Sequence, residues 1–205
     1  MNYLLFTEDK LSRKDIIHLL LLIMILSGIF GFIYEEIFYY FDLGYLVKRG
    51  STFGPWIPIY FFGGLLITIS TYRFKDKPLL VFLLTVIVTG ILEFGTGLVL
   101  DKVFNLRLWD YNTEILNFGN IGGFVCLRSV LFFGLSSLLL IYVMIPFFYY
   151  SASKMNKKVF LIISFSLCFI FLFDEVYNLI IARVFDLPRA SDIYKKIGFK
   201  YMEFK

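Results

Sequence analysis

A chain of 205 residues, 59% hydrophobic, 20% aromatic and only 18% charged, carries more apolar surface than a soluble domain of that length can bury. This composition excludes a disordered chain, a collagen-like chain, a disulfide scaffold and a typical cytosolic enzyme, and it leaves an all-α polytopic membrane bundle. The net charge of +4 reads as loop lysines and arginines of a membrane protein. No basic stripe interleaved with exposed aromatics stands apart from the apolar runs, so nucleic acid is not an expected partner.

A helix needs about 20 mostly apolar residues to cross the hydrocarbon core. The first uncharged run, Ile16 to Tyr34 with His18 neutral, continues past Glu35 and Glu36 to Phe41 and predicts a span over 16–41. A signal peptide is the alternative for this run. It is long, acidic residues flank it on both sides, and no small-x-small cleavage site follows, so a retained helix is expected. Gly50 to Tyr72 is uncharged and predicts a second span over 53–72. The third, 78–100, contains Glu93. The fourth, 124–150, reaches back from Ser129 past Arg128, and the fifth, 159–182, contains Asp174 and Glu175. The expectation is a single integral membrane domain over 1–205, with five transmembrane helices and a short tail over 183–205. The stretch from Phe199 to Phe204 is too short and too charged to span. No internal repeat and no GxxxxGK[ST] loop occur. Cys126 and Cys168 lie in apolar stretches and read as small buried hydrophobes.

Alternating spans sort the loop cations. Lys10, Arg13, Lys14, Arg73, Lys75, Lys77, Lys154, Lys157 and Lys158 share one side, against Lys48, Arg49, Lys102 and Arg107 on the other. Nine against four places the N-terminus in the cytoplasm, and five spans then place the C-terminus outside. The tail cations, Arg189 through Lys205, run against that rule. The intramembrane charges gather on the side opposite the N-terminus: Glu35, Glu36, Asp42, Glu93, Asp101, Arg128, Asp174, Glu175, Arg183 and Asp186. Each such group costs about 2.5–3.5 kcal/mol to insert and is a functional candidate by default. Their placement predicts a polar crevice open to one face, with Glu35, Arg49, Glu93 and Arg128 converging in one cluster. Ser27, Gly31 and Glu35 recur at helical spacing, as do Gly90, Glu93, Gly97 and Asp101, so these acids face neighbouring helices. Pairing of the acids with Arg49, Arg128 and Arg183 as plain structural glue is the alternative.

Lys48 to Tyr60 is the most unusual stretch. Gly50 and Gly54 permit backbone forms that other residues avoid, and Pro55 and Pro58 suit a loop or a first helical turn. A helix starting there would present amide donors beside Arg49, a combination suited to a carboxylate or phosphate. The alternative is an interfacial turn with Trp56 and Tyr60 as membrane-surface anchors. On the same side, Trp109-Asp110-Tyr111-Asn112 with Asn117 and Gly119 reads as an ordered interfacial lid. The one histidine, His18, lies at the other end of the bundle, so no Ser/His/Asp or Cys/His nucleophilic set is expected on the charged side. No spacing demands a metal, and no cofactor is implied.

The ordered set Gly31, Tyr34-Glu35, Arg49-Gly50-x-x-x-Gly54-Pro55-x-x-Pro58-Ile59-Tyr60, Glu93 with Gly97, and Trp109-Asp110-Tyr111 with Asn117 and Gly119 resembles the bacterial CmpB-like membrane family, ABC-transporter type IV. The resemblance runs from Gly31 to Gly134 and departs at Asn120-Ile121-Gly122-Gly123-Phe124, longer than the family's compact Asn-x-x-Gly segment. It implies a multi-pass protein of the cell membrane and a transporter component. Without a P-loop, any ATP-driven role would need a separate ATPase subunit.

Three functions fit. A transport or ligand-binding membrane subunit would recognise an anionic or amphiphilic ligand, a small molecule or a lipid head group, through Glu35, Arg49, Gly54, Pro55, Tyr60 and Asp174, together with Glu93, Trp109, Asp110, Asn117 and Arg128. A lipid-modifying enzyme would use Glu35 or Glu93 as general base, with Arg49 holding a phosphate. A structural or partner-stabilising protein would use the charges only as ion pairs.

Overall fold

The computed structural model describes residues 12–200. Lys10 and Lys205, which enter the charge comparison, and the end of the stretch Phe199 to Phe204 lie outside the described residues. Ser12 opens the first helix, α1 (Arg13–Leu43), with a capping box. The Asp15 amide donates to the Ser12 hydroxyl oxygen at 3.3 Å, and the Ser12 hydroxyl and amide donate to the Asp15 carboxylate at 2.6 and 3.3 Å. The box satisfies donors that a first helical turn otherwise leaves unpaired. Gly44 closes the helix in the left-handed region, at φ 77°. At 1.5 Å per residue α1 is about 46 Å long, more than the roughly 30 Å of a bilayer's hydrocarbon core.

After Gly44 the chain turns back along α1 without forming a helix. The Arg49 amide donates to Glu36 Oε1 (2.7 Å), and the Ile57 amide donates to the carbonyl of Gly28 (3.2 Å), midway along α1. Tyr60 fills the space that a side chain at position 31 would need: a Cβ on Gly31 would meet Tyr60 Cγ at 2.0 Å. Only there does α2 (Pro58–Thr71) begin, with proline at its first position, where no amide donor is required. Thr68, Ser70 and Thr71 return their hydroxyls to carbonyls one turn back, which hides them within an apolar helix.

The expected span over 53–72 is corrected by this geometry. Among the described residues four helices are long and apolar enough to cross a membrane, not five. The 14 residues of α2 reach only about 21 Å. Gly50, at φ +78°, together with Pro55 and Pro58, keeps the chain before α2 out of helical conformation. The other long helices are α3 (Pro78–Phe104), α4 (Leu127–Lys154) and α5 (Lys157–Val184), within a few residues of the expected spans. Asn105, in the left-handed region at φ 49°, ends α3. The expected start of the fourth span at 124 moves to Leu127, because Ile121 and Val125 pair across a tight turn and the Leu127 amide donates to the Phe118 carbonyl. Both α4 and α5 contain one widened π turn, at Leu140–Met144 and Tyr177–Ile181. A short helix, α6 (Ala190–Lys196), lies in the tail, where the Arg189 amide and then its guanidinium hold the Asp192 carboxyl below the usual carboxylate range.

The described chain forms two compact units. In Gly63–Phe147, α3 packs on α4, with Gly134 against Phe82 and Gly90 against Val130, small residues that allow close approach. In the other unit, 12–62 with 148–200, α1 packs on α5, and Phe61 stacks on Phe171 at 4.3 Å. These two helices run in the same direction, since Asp15 pairs with Lys157 (3.1 Å) and His18 with Ser164 (3.2 Å) near their starts. The tail lies at the opposite end of α1, so the start of α1 and the tail are at opposite ends of this unit. Only 22% of the most apolar stretch of α3 is buried within the chain, and Leu79 and Ile91 are about 70% exposed. Apolar faces of that extent require lipid in place of water.

Candidate functional site

The re-entrant segment 45–57 carries the densest polar network of its unit. Arg49 Nε donates to Glu35 Oε2 at 2.8 Å, and the guanidinium lies 4.2 Å from the Tyr39 ring centre. Glu35 and Glu36, with Tyr39 one turn further on, project from the C-terminal end of α1, which thereby grips both the backbone and the side chain of Arg49. Asp174, on α5, takes two amides further along the segment. Its Oδ1 accepts from the Phe53 amide (2.9 Å) and its Oδ2 from the Gly54 amide (2.7 Å). Asn178, one turn further on, donates to Asp174 Oδ1 (2.8 Å) and accepts from the Ala190 amide (2.7 Å). The Tyr194 hydroxyl donates to the Phe53 carbonyl (2.8 Å), and the Lys48 amide donates to the Lys200 carbonyl (2.9 Å). The tail thus straps the segment from outside. Gly54 has a further reason to be glycine: a Cβ there would meet the Trp56 ring at 2.1 Å.

Two successive backbone amides aimed at both oxygens of one carboxylate form an anion-binding concavity. Here the concavity holds a group within the chain, the Asp174 carboxylate. Pro55 lies between this clamp and Trp56, and Tyr60 sits against Gly31 with its ring 6.5 Å from that of Tyr34.

The unit Gly63–Phe147 has its own network, centred on Glu93, which is 2% exposed on α3. The Tyr111 hydroxyl donates to Glu93 Oε1 and the Ser129 hydroxyl to Oε2, each at 2.6 Å. Tyr111 is held in turn. Its amide donates to the Gly123 carbonyl (3.1 Å), Asn117 Nδ2 donates to its carbonyl (3.0 Å), and Asp110 caps the turn by accepting from the Asn112 amide (3.0 Å). Trp109 Nε1 donates to the Phe124 carbonyl (2.9 Å), and Arg107 reaches Asp110 and the Gly122 carbonyl. Gly123, at φ +78°, leaves room for this set: a Cβ there would meet Arg107 Nη2 at 2.1 Å. Arg128 pairs with the buried Glu114 and lies 5.4 Å from the Tyr111 ring centre. The 105–126 loop is therefore the ordered element expected from its Trp-Asp-Tyr stretch, tied to α3 through Glu93.

Of the four residues expected to converge, Glu35 and Arg49 belong to one unit and Glu93 and Arg128 to the other. Ser129 and Glu114 were not singled out by the sequence, and Glu36, counted among the intramembrane charges, takes the Arg49 amide. A signal for Glu114 was available, since it is the only acid between Asp110 and Arg128. Among the described residues no group of three His, Cys, Asp or Glu side chains is arranged to hold a metal ion.

Because Glu93 accepts two hydroxyl donors, Glu93→Gln should weaken the anchor of the loop. One donor then faces the new amide nitrogen, and a hydrogen bond to a charged acceptor contributes about 1.5–3 kcal/mol. Thermal unfolding in lipid or detergent should show a loss of about that size, with Tyr111→Phe and Ser129→Ala each losing a part of it. Wild-type stability in Glu93→Gln would remove Glu93 from the role of anchor.

Lipid-facing helices, small-residue packing and buried polar networks define a multi-pass helical membrane protein. The chain belongs to the family described as Putative ABC-transporter type IV, whose family model matches residues 22–179. That range contains both networks apart from the tail residues that strap the re-entrant segment. No curated protein and no solved structure matches the chain.

Proposed function

We propose that this chain is the membrane-embedded subunit of a transporter, with the re-entrant segment and α2 together making the second crossing and facing the solute. The observation that carries this reading is the bond from the Ile57 amide to the carbonyl of Gly28, which starts α2 at the midpoint of α1. Irregular backbone at that depth is tolerated where it is buried in protein or lines a cavity, and interrupted helices of this kind hold substrate in transporters. The ligand in this reading is anionic or amphiphilic. Its acidic group competes with Asp174 for the amides of Phe53 and Gly54 and with Glu35 for Arg49, while Pro55 and Tyr60 shape the segment. Glu93, Trp109, Asp110, Asn117 and Arg128 brace the other unit. ATP hydrolysis would come from a separate ATPase subunit.

A lipid-modifying enzyme has less support. Its general base would be Glu35, which holds Arg49, or Glu93, which already accepts two hydroxyls. Purification from native membranes under mild conditions, followed by mass spectrometry, tests the choice. A stoichiometric ATPase with a bound anionic solute or lipid is expected. Turnover of bound lipid by the isolated chain would favour the enzyme, and recovery of neither an ATPase nor an anionic species would overturn the transport reading.

In the same reading the four long helices and the composite second crossing leave the N-terminus cytoplasmic and the C-terminus external. The opposite placement of the start of α1 and the tail supports this. Reporter fusions at the two ends should therefore respond on opposite sides. The same side for both would reject the re-entrant crossing.

A further inference from the structure

Asp174 and Glu175 are neighbours on α5 with opposite surroundings. Asp174 accepts from two backbone amides and from Asn178. Glu175 is 8% exposed, and both its carboxylate oxygens are buried without a hydrogen-bond partner among the described residues. A second orphan lies in the same unit: Trp56 Nε1 is buried without an acceptor among the described residues, and the Trp56 ring packs edge-on against Phe171, one helical turn before Glu175. The α5 ladder widens into its π turn two residues after Glu175, a distortion that often marks functional positions. Asp174, the residue before it on α5, is a second acid beside Glu175.

An ionised carboxylate with no partner in such surroundings costs several kcal/mol, and proteins avoid that cost by supplying a counter-charge. Among the described residues no side chain hydrogen-bonds to Glu175. We propose that Glu175 is a binding site for a small monovalent cation, a proton or an alkali ion, held within the bundle beside the Asp174 clamp. Because Asp174 secures the amides of Phe53 and Gly54, release of that cation places a second negative charge next to the group that holds the re-entrant segment. The site thereby couples cation occupancy to the segment's position. The inference concerns binding alone and does not depend on what the protein transports.

The test uses the full chain reconstituted in lipid vesicles. Infrared difference spectra of wild type against Glu175→Gln at neutral pH should show the carbonyl stretch of a protonated carboxyl, shifted in heavy water and absent from the variant. That result identifies the cation as a proton. If no such band appears, thermal unfolding in sodium or potassium chloride against choline chloride should show an alkali-dependent rise in melting temperature that Glu175→Gln abolishes. That result identifies an alkali ion. Glu175→Leu serves the same comparisons if the Gln variant does not fold. Absence of both the band and the alkali dependence in wild type overturns the proposal.

Discussion

Arg49→Ala is expected to lower stability by about 3 kcal/mol, the lower end of the range for breaking a buried ion pair by removal of one partner. Arg49 is 6% exposed, and its Nε lies 2.8 Å from Glu35 Oε2. Truncation leaves the Glu35 carboxylate without its cation at the end of α1 and removes the contact with the Tyr39 ring. Lysine retains the charge but not the planar fork or the stacking, so Arg49→Lys should fall between alanine and wild type. Adding Glu35→Gln to Arg49→Ala removes the stranded charge and should recover much of the loss. Chemical or thermal unfolding in detergent micelles measures all four proteins. Wild-type stability in Arg49→Ala would show that the pair contributes nothing to holding the re-entrant segment. A deficit unrelieved by Glu35→Gln would locate the effect in the Tyr39 contact instead. In a binding measurement, Arg49→Lys should also weaken an anionic ligand while leaving assembly intact.

The apolar helices were legible in the sequence because a span of lipid-facing residues is a local property: α1, α3, α4 and α5 lie within a few residues of the runs that predict them. The second run was misjudged for a physical reason. Gly50, Gly54, Pro55 and Pro58 mark a stretch that resists helix formation, and they were recognised as such. Hydropathy, however, cannot distinguish an apolar segment that crosses as a helix from one that folds back along a neighbour. What turns the segment back is non-local: Glu36 for the Arg49 amide, the Gly28 carbonyl for the Ile57 amide, and Asp174, some 120 residues later in sequence, for Phe53 and Gly54. The same limit applies to Glu93. Its place on a small-residue stripe was visible, but its donors come from a loop and from a different helix. In both networks the residue types needed to bind an anion or brace a loop were recognisable, whereas the partner of each was set by the tertiary fold.

Asp174 carries the largest expected effect, because it holds the re-entrant segment by two backbone amides at once. At about 1.5–3 kcal/mol for each hydrogen bond to a charged acceptor, Asp174→Ala should cost about 3–6 kcal/mol. Asp174→Asn retains one carbonyl acceptor but turns an amide nitrogen toward the second donor, so it should lose about half as much. The loss should be local as well as large. Hydrogen exchange at Phe53 and Gly54 should accelerate, and protease should cut within 48–57, while α3 and the part of α4 packed on it keep their protection. Asp174→Ala and Arg49→Ala release the same segment from two helices, so their combined effect should be smaller than the sum of the separate effects, the mark of residues acting through one element. Additive losses would mean that the two clamps act independently. Unchanged stability together with protected amides at Phe53 and Gly54 in Asp174→Ala would show that the segment is held in place by packing, with Trp56 and Tyr60 against α1 and α5 as the remaining anchors.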